Sequence, residues 1–220
     1  AALRERHGSA CVPLVLNGCC GNLHHAHHLD PSYVDDHRRM GHILAETAHG
    51  VLKTLRYEKE AVLDWRSKHV AIPIRKLEPA EVEKARKLIE ANPMPIWRDA
   101  ERTAIEWDWV YAVAVLDLYE TQRRSAELDC EIQAFRVGDI AFAGLPGEPF
   151  VEGQLRIKQR SPVRHTYLAH MCNSCPGYIP TREAMRRGGY ETRTANWSKL
   201  APEALDVIVD ETVALLNEMF

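Results

Sequence analysis

Two apolar runs, 131–137 and 140–145, are separated by only Gly138-Asp139. This is the tightest constraint in the chain. A two-residue Gly/Asp connection between such runs makes a β-hairpin. Gly147-Glu148-Pro149-Phe150 follows at once, and the stretch from Phe150 to Lys158 reads as a short helix. His165–His170 is a further strand candidate. The start of the chain repeats the theme. Val12–Leu16 reads as a buried strand closed by Asn17-Gly18, and Gly18 and Gly21 bracket Cys19-Cys20 on a tight backbone path. After Asp30-Pro31-Ser32, residues 33–56 read as a helix, with Met40, Ile43, Leu44, Val51, Leu52 and Leu55 at helical spacing. Strand, Gly-rich loop and helix form an α/β layer unit, so the expected fold is α/β, a mixed β-sheet packed with helices.

Residues 62–75 alternate and read as an edge strand, because Pro73 removes a ladder donor. Glu78-Pro79 starts a helix that runs to about Glu90 and is stopped by Asn92-Pro93-Met94-Pro95. A second helix is predicted over about 98–122, with a buried stripe of Ile105, Val113, Leu116 and Tyr119. Together 77–122 read as a helical insertion between strands. Its aromatics, Trp97, Trp107, Trp109 and Tyr111, suit either core packing or a substrate entrance. Pro202-Glu203 opens the last helix, with Leu205, Val207, Ile208, Val213 and Leu216 on its buried face.

At 220 residues the chain has room for one large domain or two small ones. A net charge of −3 carries no nucleic-acid or anionic-membrane footprint. No apolar run approaches the ~20 residues of a membrane span. Ala1–Arg6 reads as the tail of a helix, so the expectation is a fragment with an upstream segment that would hold any targeting signal. The compartment is therefore not read from this sequence, and a homo-oligomer is left open.

The chemistry-bearing residues lie in three loops. Glu148 stands where a strand ends and a helix begins, which suits either a ligand carboxylate or a cap on the following helix. Tyr178 lies in Gly177-Tyr178-Ile179-Pro180-Thr181, and Tyr190 in Gly188-Gly189-Tyr190-Glu191, twelve residues further on. These motifs resemble those of the neutral/alkaline, non-lysosomal ceramidase family, over roughly 10–56 and 130–195. The resemblance implies that the whole chain, 1–220, is the C-terminal part of one catalytic domain. It implies that Glu148 and Tyr178 bind Zn2+, with two histidines from the upstream segment of the same protein completing the site. It further implies that Tyr190 stabilises the transition state, and that Asn173 and Gly21 contact substrate. The segment Asn17–His24 resembles the family loop ending in Gly-Asp-x-Ser-Pro, but here Asn22 stands at the Asp position and His24 at that of the nucleophilic serine. Metal-activated water is then the expected nucleophile, with His24 as its base. The implied activity is zinc-dependent hydrolysis of an amide C–N bond in a small or amphipathic, lipid-like substrate.

Other readings stand beside these. The cluster His24, His25, His27 and His28 also fits direct metal binding or a solvated polar loop. His165 and His170 fit core histidines. Cys19, Cys20, Cys172 and Cys175 fit a metal-thiolate or redox centre if they converge, and small buried residues if they do not. A catalytically silent binding protein is the remaining alternative.

Overall fold

The computed structural model describes residues 1–220, and they form two compact units. The first comprises 1–16 and 23–62, the second 17–22 and 63–220.

The first unit holds α1 (Ala2–His7) and α2 (His37–Leu52). Asp36 caps α2 by accepting from the Arg38 and Arg39 amides, so the helix starts four residues later than the periodicity suggests. Arg6 pairs with Glu46, and His7 Nε2 lies 3.2 Å from His49 Nδ1. Val12–Leu16 forms no strand, contrary to expectation. This unit contains no other strand to pair with, and Leu14 is 86% exposed. The apolar positions of α2 are also exposed; only Ala45 is buried.

In the second unit, β1 (Leu63–Pro73), β2 (Glu127–Val137), β3 (Ile140–Gly144) and β5 (His165–Ala169) form one mixed sheet in the order β1-β2-β3-β5. The hairpin forms as its sequence dictates. Val137 faces Ile140 across the turn, and Gly138 takes φ +58°, a conformation natural to glycine. Strand β1 is an edge, antiparallel to β2, and Pro73 ends it. Strand β5 runs parallel to β3, so the chain must cross over, and α5 (Val151–Arg160) makes that crossing. A two-residue parallel pair, β4 (Glu148–Pro149) and β6 (Tyr178–Ile179), lies beyond the ends of the main strands.

One face of the sheet is dry. Ile72, Ile132, Ala134, Ala141, Ala143 and Leu168 pack with Ile157 of α5 and with α7 (Ala204–Asn217). The other face carries a cross-strand row: Trp65 opposite Phe135, Phe135 opposite Phe142, and Phe142 opposite Tyr167. Phe142 and Tyr167 stack at 5.5 Å. The remaining helix, α6 (Arg182–Arg187), is capped by Thr181.

Between β1 and β2 the chain builds α3 (Pro79–Ala91) and α4 (Trp107–Arg124), which share a core of Val82, Ala85, Ala112 and Val115. Helix α4 starts nine residues later than expected. The Asp99 carboxylate accepts from the Thr103 and Ala104 amides and from the Thr103 hydroxyl, holding a turn that brings Trp97 opposite Ile105. Its buried stripe is Ala112, Val115 and Leu118. Val113, Leu116 and Tyr119 are half-buried, one position off the expected face.

Candidate functional site

The end of β3 delivers the chain into Leu145-Pro146-Gly147 and then β4. Glu148 is paired in parallel register with Tyr178, and the Glu148 amide donates to the Gly177 carbonyl at 2.9 Å. Two residues thirty positions apart thus become lateral neighbours. Glu148 does not cap α5. That helix receives its cap from Asn22, whose Oδ1 accepts from the Val151 amide at 2.8 Å and whose Nδ2 donates to Glu152. The carboxylate of Glu148 is therefore free of the structural duty that its position allows.

Gly21 closes against β4. Its amide donates to the Pro149 carbonyl at 3.1 Å, and a Cβ there would collide with the Glu148 carbonyl oxygen. The glycine is required for close backbone approach, and its N–H is spent on the fold.

Tyr190 lies edge-on to Tyr178, with ring centroids 6.0 Å apart, and stacks on Trp197 at 5.6 Å. Trp197 in turn meets Trp107 and Tyr111 of α4, at 6.1 and 5.8 Å. The aromatics of the helical insertion thus reach the Tyr190 loop. That loop is held from beneath by Arg75, whose guanidinium donates to the Thr192 carbonyl at 2.7 Å and to Ser198 Oγ at 2.9 Å. Ser198 Oγ donates to the Glu191 carbonyl at 2.7 Å, and the Trp197 carbonyl accepts from the Tyr178 amide at 2.8 Å. One network fixes both tyrosines. A cavity of about 500 Å³ opens beside Tyr190, between Tyr111, Met185, Gly188 and Arg193.

Charge in the site is one-sided. Burial, then the Glu148 carboxylate, push the Tyr178 phenol above its ordinary pKa. Burial, then Tyr111 and Glu148, do the same for Tyr190. Burial and Glu148 also raise the Cys20 thiol. The register sets two oxygen-bearing side chains on adjacent strands, a donor type that zinc accepts, yet zinc takes three or four protein ligands and no three His, Cys, Asp or Glu side chains converge here.

The remaining expected residues fall elsewhere. Asn173 sits at φ +63° in the loop after β5, with its side chain exposed. His24 belongs to the first unit. Its Nδ1 accepts from the Ala26 amide at 3.0 Å, and its ring stacks on His25 at 4.5 Å. His25 bonds Asp35 at 2.7 Å. The four thiols of the metal-thiolate reading do not gather. Cys19 is buried, Cys172 donates to the Ala169 and His170 carbonyls, and Cys175 is exposed beside Met171. Cys20 alone meets an imidazole, His170 Nε2 at 3.6 Å. Sequence reading missed that pairing because 150 positions separate the two residues.

Two solved structures share the fold. The chain is similar to neutral ceramidase from Pseudomonas aeruginosa, with a TM-score of 0.52 and 17% identity, over 87% of this chain and 34% of that one. It is similar to a ceramidase complexed with C2, with a TM-score of 0.52 and 16% identity, over 83% of this chain and 34% of that one. The chain therefore spans about a third of the length of these neighbours. At such identity the likeness is one of fold. No family model matches the chain, and no curated protein does.

Proposed function

We propose that this chain carries half of the metal site of a ceramidase-like, zinc-dependent hydrolase that cleaves an amide C–N bond in a small or amphipathic substrate. The observation that carries the reading is the lateral register of Glu148 and Tyr178, with Tyr190 edge-on to the Tyr178 ring. The shared fold with neutral ceramidase supports it.

Glu148 and Tyr178 would hold the ion, with histidines outside this chain completing its ligands. When bound, the ion would supply a Lewis acid for the amide carbonyl and for the attacking water. Tyr190 keeps its phenolic proton well past neutrality, because burial and nearby negative charge disfavour the phenolate. It is thus a standing hydrogen-bond donor for the developing oxyanion. Asn173, exposed at the loop, is the proposed polar contact to substrate. For His24 to serve as base, Nδ1 must first release the Ala26 amide.

Zinc measured by elemental analysis on the protein together with the segment that would supply the histidines, and on its Glu148→Ala variant, tests the reading. About one ion per chain, lost in the variant, is expected for a site that depends on Glu148. Zinc retained at full occupancy by Glu148→Ala would sink it.

A further inference from the structure

Gly21, clamped to the Pro149 carbonyl, places its neighbour Cys20 beside the strand end that carries Glu148. His170 lies just past β5, and its amide donates to the Asn17 carbonyl at 3.0 Å, tying the two loops together. Cys20 Sγ and His170 Nε2 are 3.6 Å apart, within hydrogen-bond range for sulfur. The thiol is partly exposed. On the other side of the ring, His170 Nδ1 is buried without a partner. A buried nitrogen left unpaired costs roughly 1–3 kcal/mol, and such orphans call for a functional account. The sulfur is the only polar group that the fold gives this imidazole.

We propose that Cys20 is an acyl-accepting nucleophile and that His170 takes its proton. Sulfur attacks the carbonyl carbon and the S–C bond forms. The thiol proton passes to Nε2, in the tautomer that carries hydrogen on Nδ1. The C–N bond then breaks, and the nitrogen leaves with the electron pair and takes the proton from Nε2. Water adds to the thioester, the C–S bond breaks, and carboxylic acid and free thiol are released. No oxidant or reductant enters. These steps rest on the hydrolase reading for their acyl substrate. The thiol–imidazole pair itself needs no metal.

The probe is p-nitrophenyl acetate, followed by intact mass and peptide mapping. Transfer to sulfur releases p-nitrophenolate and leaves one acetyl group on the Cys20 peptide. That label is expected to form faster than any on Cys175, an exposed thiol with no imidazole beside it. Cys20→Ala should abolish it, and His170→Gln should slow it by about a hundredfold, the ordinary worth of a positioned base. Acetylation of Cys20 no faster than of Cys175 would overturn the proposal, as would an unchanged rate in a folded His170→Gln. If that variant does not fold, the wild-type comparison of the two thiols decides alone. Zinc content of Cys20→Ala separates the remaining case. Metal kept while acetylation is lost supports a nucleophile, whereas metal lost makes the thiol a ligand and refutes it. Zinc indifferent to Glu148→Ala, with Cys20 still acetylated through His170, would remove the metal reading and leave the thiol pair standing.

Discussion

Glu148 and Asn22 divide between them two duties that a single carboxylate at a strand–helix junction could have shared. Asn22 satisfies the first amide of α5, which leaves Glu148 as an uncommitted negative charge against two phenols and a thiol. Cys19, next door, shifts the same way as its partly exposed neighbour, but further. Burial, with the Cys20 charge adding to it, pushes its thiol from 9.0 to about 12. The folded chain therefore keeps the proton where the unfolded chain would lose it. Stability from this group is fully present below pH 9 and is lost as pH rises toward 12. The slope is about 1.4 kcal/mol per pH unit within that window. Urea midpoints measured on both sides of pH 9 should fall more steeply for the wild type than for Cys19→Ala. Parallel slopes would show that another group carries the effect. The identities of the candidate residues Glu148, Tyr178 and Tyr190 were legible from their loops. The Cys20–His170 contact was not, because no local pattern links a residue before a glycine turn to one after a distant strand.

At the scale of elements, the sheet presents two chemically different faces. Ile132 is fully buried against α5 and α7, whereas Phe135, three residues on, is 42% exposed in the aromatic row. Ile132→Ala should cost about 2–5 kcal/mol, from lost burial and the cavity left behind. Phe135→Ser should cost far less, since half of that ring is already wet. Chemical denaturation of the two variants checks the contrast, and equal losses would mean that the row is packed in solution. The hairpin was readable because two residues of turn chemistry set its register. The start of α4 was not, because Asp99 binds back onto 103–104 and holds nine further residues out of the helix. The run Val12–Leu16 has the pattern of a strand but no partner strand in its unit, and a ladder needs two sides.

For the molecule as a whole, the sharpest test is linkage. A ligand that binds only the folded state stabilises it, by about 2.7 kcal/mol at a hundredfold excess over Kd. With the histidine-bearing segment present, zinc should raise the melting temperature of the wild type and leave that of Glu148→Ala unmoved; an equal rise in both would place the ion elsewhere. The sequence by itself determined the α/β class, the hairpin, the helix that follows Phe150, the proline-marked starts of α3 and α7 and the residue types available for chemistry. These follow from local periodicity and turn preference, which act over a few residues. The tertiary structure alone decided that Glu148 lies beside Tyr178, that Asn22 caps α5, that Arg75 holds the Tyr190 loop and that Cys20 meets His170. Each of these pairings joins residues at least thirty positions apart. Their meeting is set by how the main strands end and by which backbone amides remain to be satisfied there, a property of the packed sheet that no short stretch of chain encodes.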